Sequence, residues 1–147
     1  MITPVILKVG NRQTDPDGKT EDVKALYRGR MYERDGKCCI SYEETGENET
    51  GNITKCMLKI SGEKIELNKK GDVSYNMVFK KGGKEIFSYG TPYGAVPMTV
   101  ETLRLDVRGD ISLGLVADIR YDLDMSGYVL NCEMTIQAEP VTDVKTE

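Results

Sequence analysis

The sequence predicts an all-β protein, an antiparallel up-and-down β-barrel of roughly eight to ten strands. Three observations carry that expectation. Apolar residues recur at every second position through most of the chain, the period of a strand with one buried face. Turn pairs such as Asp35-Gly36, Gly82-Gly83, Gly109-Asp110 and Ser126-Gly127 interrupt the alternation at short intervals, as hairpins require. No window shows a helical period of useful length. A closed barrel is favoured over an open sandwich because nearly every connection reads as a hairpin and closure removes exposed strand edges.

Taken in order, Val5, Leu7 and Val9 give a first strand one apolar face, and Asp15-Pro-Asp-Gly18 turns it. Residues 20 to 34 form a long strand with Val23, Ala25, Tyr27, Gly29 and Met31 on one face and Lys24, Arg28 and Arg30 on the other. Asp35-Gly36 is a hairpin signal, after which Cys38, Ile40 and Tyr42 alternate with Cys39, Ser41 and Glu43. Residues 44 to 52 are polar and acidic and read as a mobile loop. Thr54, Cys56, Leu58 and Ile60 face one way, then Ile65 and Leu67, then Val73, Tyr75, Met77 and Phe79. Gly82-Gly83 reads as one more hairpin, leading into a short strand through Ser88.

The stretch Ser88-Tyr-Gly-Thr-Pro-Tyr-Gly-Ala-Val-Pro97 unites two prolines, two glycines and two tyrosines. It reads as a corner where one half of the barrel passes to the other. Beyond it, Met98, Val100 and Thr102 share one parity while Leu103, Leu105 and Val107 share the other. A strand with one buried face changes parity only by inserting a residue, so a β-bulge is expected between Thr102 and Arg104. The last two strands alternate most cleanly, from Ile111 through Leu113, Leu115, Ala117, Ile119 and Tyr121 to Leu123, and from Tyr128 to Ala138. Pro140 ends the pairing.

The 147 residues favour one domain, over residues 1–139, with a polar C-terminal tail over 140–147. A chain of this size buries enough surface to fold without a disulfide or metal. The formal charge of −4 provides no basic footprint for nucleic acid. No run is long and apolar enough for a membrane helix, so neither nucleic acid nor membrane is an expected partner. Met1-Ile-Thr-Pro-Val-Ile-Leu-Lys8 lacks a basic start, a long apolar centre and a small-residue cleavage site. The expected location is therefore cytoplasmic. There Cys38, Cys39, Cys56 and Cys132 are expected as free thiols, and the sequons at Asn48 and Asn52 as unused.

Chemistry is poorly signalled. The chain has no histidine, which removes the commonest general base and metal ligand. The cysteine spacing matches no zinc pattern, and no phosphate-binding glycine loop occurs. The expectation is a protein that is not an enzyme and holds no cofactor or metal. A third possibility, an acid–base enzyme, needs two carboxylates converging in a pocket, and neighbours such as Glu43 and Glu44 face opposite sides of a strand.

The run Asp35-Gly-Lys-Cys-Cys-Ile-Ser-Tyr-Glu-Glu44, the segment Asn76-Met-Val-Phe79, and above all Thr91-Pro-Tyr-Gly94 with Pro97-Met98 resemble the YwiB-like proteins of bacteria. The similarity runs from Thr3 to about Ile136, with cysteines at Cys38-Cys39 where that family leads one to expect aromatic residues. The resemblance implies a calycin, lipocalin-like barrel in a bacterial cytoplasm, and it implies no reaction.

A barrel of this size either holds one small ligand or is filled by side chains. The inward list mixes small residues (Ala25, Gly29, Cys56, Ala117) with large ones (Met31, Phe79, Met134), which leaves both open. The expected function is binding of a small, partly apolar ligand in the lumen. The candidate ligand residues are Tyr27, Tyr42, Tyr75, Tyr89, Tyr93 and Tyr121, phenols on or beside the apolar faces. The alternative is a protein-interaction or homodimerising scaffold with a filled barrel, meeting its partner through Leu26, Tyr32, Val116 and Val129.

Overall fold

The computed structural model describes residues 2–45, 52–110 and 112–141. Ten strands follow in order: β1 (Thr3–Thr14), β2 (Thr20–Arg34), β3 (Lys37–Thr45), β4 (Ile53–Ile60), β5 (Lys64–Lys70), β6 (Tyr75–Lys80), β7 (Lys84–Thr91), β8 (Gly94–Asp110), β9 (Gly114–Met125) and β10 (Tyr128–Pro140). They make one antiparallel sheet in the order β6-β5-β4-β3-β2-β1-β10-β9-β8-β7. Every ladder except β1–β10 joins sequence neighbours, so the sheet is built almost wholly from hairpins. β1 lies at its middle, pairing β2 on one side and β10 on the other, with Leu7 opposite Tyr27 and Ala138.

The sheet curls until its two edge strands meet. Ser74 and Gly90 exchange backbone hydrogen bonds of 3.0 and 2.8 Å, forming an isolated bridge. Beside it the Tyr75 ring packs against Phe87 (5.9 Å between centroids) and stacks on Tyr89 (5.5 Å). At the other end the Thr102 amide reaches the Gly83 carbonyl at 2.9 Å. The barrel is thus nearly closed, with a seam held by one backbone bridge and aromatic side chains rather than a full ladder.

Period two decides which side chains go inside. Val5, Leu7, Met31, Ile40, Leu58, Ile60, Ile65, Phe79, Val100, Leu105, Ile119 and Ile136 are all buried. Each removes roughly 1.5–3 kcal/mol worth of apolar surface from water. The outer face is polar and carries cross-strand pairs in register, Arg12–Asp22 and Arg120–Glu133 among them. Asp35 and Gly36 both take positive φ (55° and 76°), the twist that a two-residue hairpin turn needs. The bulge falls between Thr102 and Arg104 as expected.

Several expectations need correction. Ser88–Pro97 is no corner: β7 and β8 pair through it without a break, Thr91 facing Gly94 across a Pro92-Tyr93 turn. Thr91 Oγ1 accepts from the Tyr93 amide (3.1 Å) and donates to the Gly94 carbonyl (2.8 Å), which makes the turn self-sufficient. The passage between the halves is the Gly82-Gly83 turn, which joins the two sheet edges; β6 and β7 run antiparallel from it but splay without a ladder and meet again at the Ser74–Gly90 bridge. Leu103 occupies the bulge and is 54% exposed instead of sharing the interior with Leu105. β9 begins at Gly114, so Leu113 lies in the preceding turn, 85% exposed, while Leu115 and Ile119 are buried. Val23 is exposed, on the part of the β1–β2 hairpin that faces only β1. The expected mobile loop falls largely outside the described residues; of its span, Glu44 and Thr45 belong to β3. Val5 pairs with Pro140, and the tail beyond Val141 is likewise outside the described residues.

The bulge yields a direct comparison. Leu103→Ser is expected to change stability by no more than about 0.5 kcal/mol, whereas Leu105→Ala, two positions on, costs about 2–5 kcal/mol. Urea denaturation of the two variants checks this; equal losses contradict the bulge register.

Candidate functional site

The ends of the barrel differ. The end carrying the β2–β3, β4–β5 and β6–β7 turns is packed solid by Met31, Ile40, Ile60, Ile65 and Phe79. The opposite end, ringed by the β1–β2, β5–β6, β7–β8 and β9–β10 turns, opens into a cavity of about 850 Å³. All ten strands contribute to its lining. Its floor is apolar, with Leu58, Leu67, Met77, Met134 and Ile136; its upper wall is polar, with Asn11, Gln13, Glu44, Thr54 and Lys69. A groove of about 900 Å³ also runs along the outside of β1, β2 and β10, but the Arg12–Asp22 pair sits in it and water reaches both partners.

A connected polar group stands in the wall. Lys69 Nζ lies 2.8 Å from Glu44 Oε2, with side chains only 19% and 26% exposed. Tyr27 donates its hydroxyl hydrogen to the same oxygen at 3.3 Å. The Lys69 ammonium also stands 5.8 Å from the centroid of the Tyr75 ring. Burial works against this ammonium, but its partners favour the charged form, and with the Glu44 carboxylate hydrogen-bonded to it the lysine stays an ammonium. Tyr27 packs on Tyr42 at 4.9 Å. Deeper in, Phe79 meets the edge of Tyr121 at 4.8 Å, and Asn11 Nδ2 donates to the Tyr121 hydroxyl at 3.3 Å. Asn11 Oδ1 is buried without a protein partner. Burial disfavours the phenolate of Tyr27, Tyr42, Tyr75 and Tyr121 and raises their pKa values above the ordinary phenol value, so all four act as neutral hydroxyls.

Five of the six tyrosines named from sequence, Tyr27, Tyr42, Tyr75, Tyr89 and Tyr121, line this one cavity. Tyr93 does not: at the tip of the β7–β8 turn it is 99% exposed and takes no part in the lining. Its parity belongs to a turn, where alternation no longer assigns a face. Glu43 is solvated on the outside, and Arg28, Arg30 and Arg104 are exposed. Lys69 and Asn11 are not singled out by the sequence, and Glu44 is weighed there only as the strand neighbour of Glu43. The signal was present: each continues the inward parity of its strand, after Tyr42, Leu67 and Val9 respectively. Polar residues at inward positions toward one end of several strands mark a wet mouth over a dry floor.

The thiols are structural in their surroundings. All four cysteines are buried and free, Cys38 in the core and Cys39 covered on the outer face. Burial pushes Cys38, Cys56 and Cys132 up to about 11 from 9.0. In the unfolded chain these thiols ionise near 9.0 and in the fold only near 11, so the unfolded state loses its protons first. Stability is therefore expected to hold up to about pH 8.5 and to fall as the pH rises further, with the raised phenols adding to the loss. Urea midpoints across that range check it; a midpoint that rises between pH 9 and 11 contradicts it.

The family described as "Domain of unknown function (DUF1934)" matches residues 7–136. The "Uncharacterized beta-barrel protein YwiB" of Bacillus subtilis (strain 168) is 27% identical over 121 residues, covering 82% of each chain. The crystal structure of the ywiB protein from Bacillus subtilis superposes with a TM-score of 0.84 at 26% identity, covering 96% of this chain and 94% of that one. The expected family and the barrel fold both stand.

Proposed function

We propose that this chain, which belongs to the DUF1934 family, is a binding protein that takes up one small, partly apolar molecule in its barrel lumen and does no chemistry on it. The observation that carries this reading is the 850 Å³ cavity, within the range of ligand pockets, with an apolar floor and a few convergent polar groups. A scaffold with a filled barrel fits less well, because that volume lies inside the strands. The calycin likeness accords with such an interior, since up-and-down barrels of that kind hold single small ligands.

Catalysis is left out of the reading because Glu44 is engaged by both Lys69 and Tyr27, and the other carboxylates of the cavity, Glu21 and Asp72, stand toward the mouth. The ion-paired outer face supports a barrel surrounded by water, since a lipid-facing barrel carries an apolar outer band. Four buried free thiols support a reducing compartment, the cytoplasm.

Native mass spectrometry of protein isolated gently from its own host tests the proposal. A stoichiometric extra mass below about 1,000 Da, lost on denaturation, is the expected result, in keeping with a pocket of this volume. The bare chain mass in every preparation, together with no uptake when the protein is incubated with host metabolite extract, contradicts it.

A further inference from the structure

The geometry points to an organic cation, a small amine or quaternary ammonium with an apolar body, as the class of ligand the lumen takes; this rests on the lumen reading above and goes further in chemistry. Three features converge. The first is the density of aromatic rings: Tyr27 with Tyr42 on one wall, Phe87 and Tyr89 on the other, beside a Tyr75 ring already engaged by Tyr89 and Lys69. Ring faces carry negative potential and attract a cation more strongly as water is removed.

The second is charge. Among the described residues, the lining holds three carboxylates, Glu21, Glu44 and Asp72, against the single ammonium of Lys69. Glu44 already neutralises Lys69 at 2.8 Å, so Glu21 at the rim leaves the lining with a negative balance. An anionic ligand has to draw Lys69 from Glu44 and then lie beside those carboxylates. The third is that the site already holds a cation. The Lys69 ammonium lies over the Tyr75 ring and stays charged although largely withdrawn from water. The lining adds Met77, Met98 and Met134, with Met125 at the rim beside the β9–β10 turn, soft and adaptable surfaces for methyl groups of varied shape.

The test uses the full chain with ¹³C-labelled methionine methyls and three water-soluble probes of nearly equal size: choline, its neutral carbon isostere neohexanol, and the anion tert-butylacetate. Choline is expected to shift the methyls of Met77, Met98, Met125 and Met134 and to bind roughly tenfold more tightly than neohexanol. Glu21→Gln, a change at the exposed rim, is expected to weaken choline by about threefold and leave neohexanol unchanged. Equal affinity for choline and neohexanol overturns the cation assignment and leaves the lumen as an apolar site. Preference for tert-butylacetate overturns it in favour of an anion. No shift with any probe also overturns it, and the retained-mass experiment then decides the lumen reading separately.

Discussion

Phe79→Ala is expected to lower stability by about 3–5 kcal/mol, the cost of deleting a large side chain from a site that cannot collapse around the void. Phe79 is wholly buried and is the largest side chain in that condition. It sits on β6, one of the two edge strands, between the solid end of the barrel and the cavity floor. Its neighbour Ile65 faces it across the β5–β6 ladder, and its ring meets the edge of Tyr121 from β9, on the far half of the sheet. Removing it therefore takes away packing within one half and a contact between halves. Phe79→Leu keeps most of the volume and should cost less than half as much. Equilibrium urea denaturation with an unchanged slope is the readout. A loss below about 1 kcal/mol for the alanine variant indicates that the seam is not packed as described.

Gly109→Ala is expected to cost about 3 kcal/mol, for a reason of backbone rather than volume. Gly109 lies late in β8, opposite Leu115, with φ at 93°, a conformation that residues with a Cβ seldom adopt. A Cβ built there runs into the Gly114 carbonyl and comes within 3.2 Å of the Leu115 Cα, both main-chain atoms that move only with the strand. Gly82→Ala is the matched control. It too has positive φ (71°) but open space around it, so only the conformational strain of about 1 kcal/mol is expected. If the two variants lose the same stability, the tight approach of β8 and β9 at this end is not real.

Much of this fold is legible in the sequence because the governing signal is local. Period two assigned the interior faces of β3, β5 and β10, where Ile40, Leu67 and Ile136 went inside as expected. The parity break after Thr102 marks the place of the bulge in the sequence itself. What failed was whatever depends on the sheet's closure. Nothing in Gly82-Gly83 distinguishes a hairpin turn from a turn between two edges, since the residue types that reverse a chain are the same. The prolines and glycines of Thr91–Pro97 drew attention to a turn that is ordinary in its pairing. Leu113 takes a face from its parity although it lies in a turn, where parity carries no information, and Tyr93, which the turn chemistry places at the barrel mouth, points away into solvent.

The candidate site was half legible for a related reason. Tyrosines declare themselves because they are rare and amphipathic, and five of them do meet in one cavity. Sequence reasoning weighs Glu44 only against its neighbour Glu43 and leaves Lys69 aside, because charged residues are assumed to face water. Their inward parity placed them inside, and the other member of the pair, 25 positions away in sequence, makes that tolerable. A charged residue at an inward position predicts a partner at another, and pairing such positions across strands is a search that sequence alone permits.

The account depends most on a lumen that is hollow and open at one end. Relaxation of ¹³C-labelled methionine methyls by a small dissolved nitroxide tests it without knowledge of any ligand. Met77, Met98, Met125 and Met134 line the cavity, Met57 lies on the outer face, and Met31 is sealed in the closed end. The account predicts that the four lumen methyls broaden nearly as much as Met57 while Met31 stays sharp. Four lumen methyls as protected as Met31 would mean that side chains fill the barrel, and the reading of it as a container for a small molecule would fall.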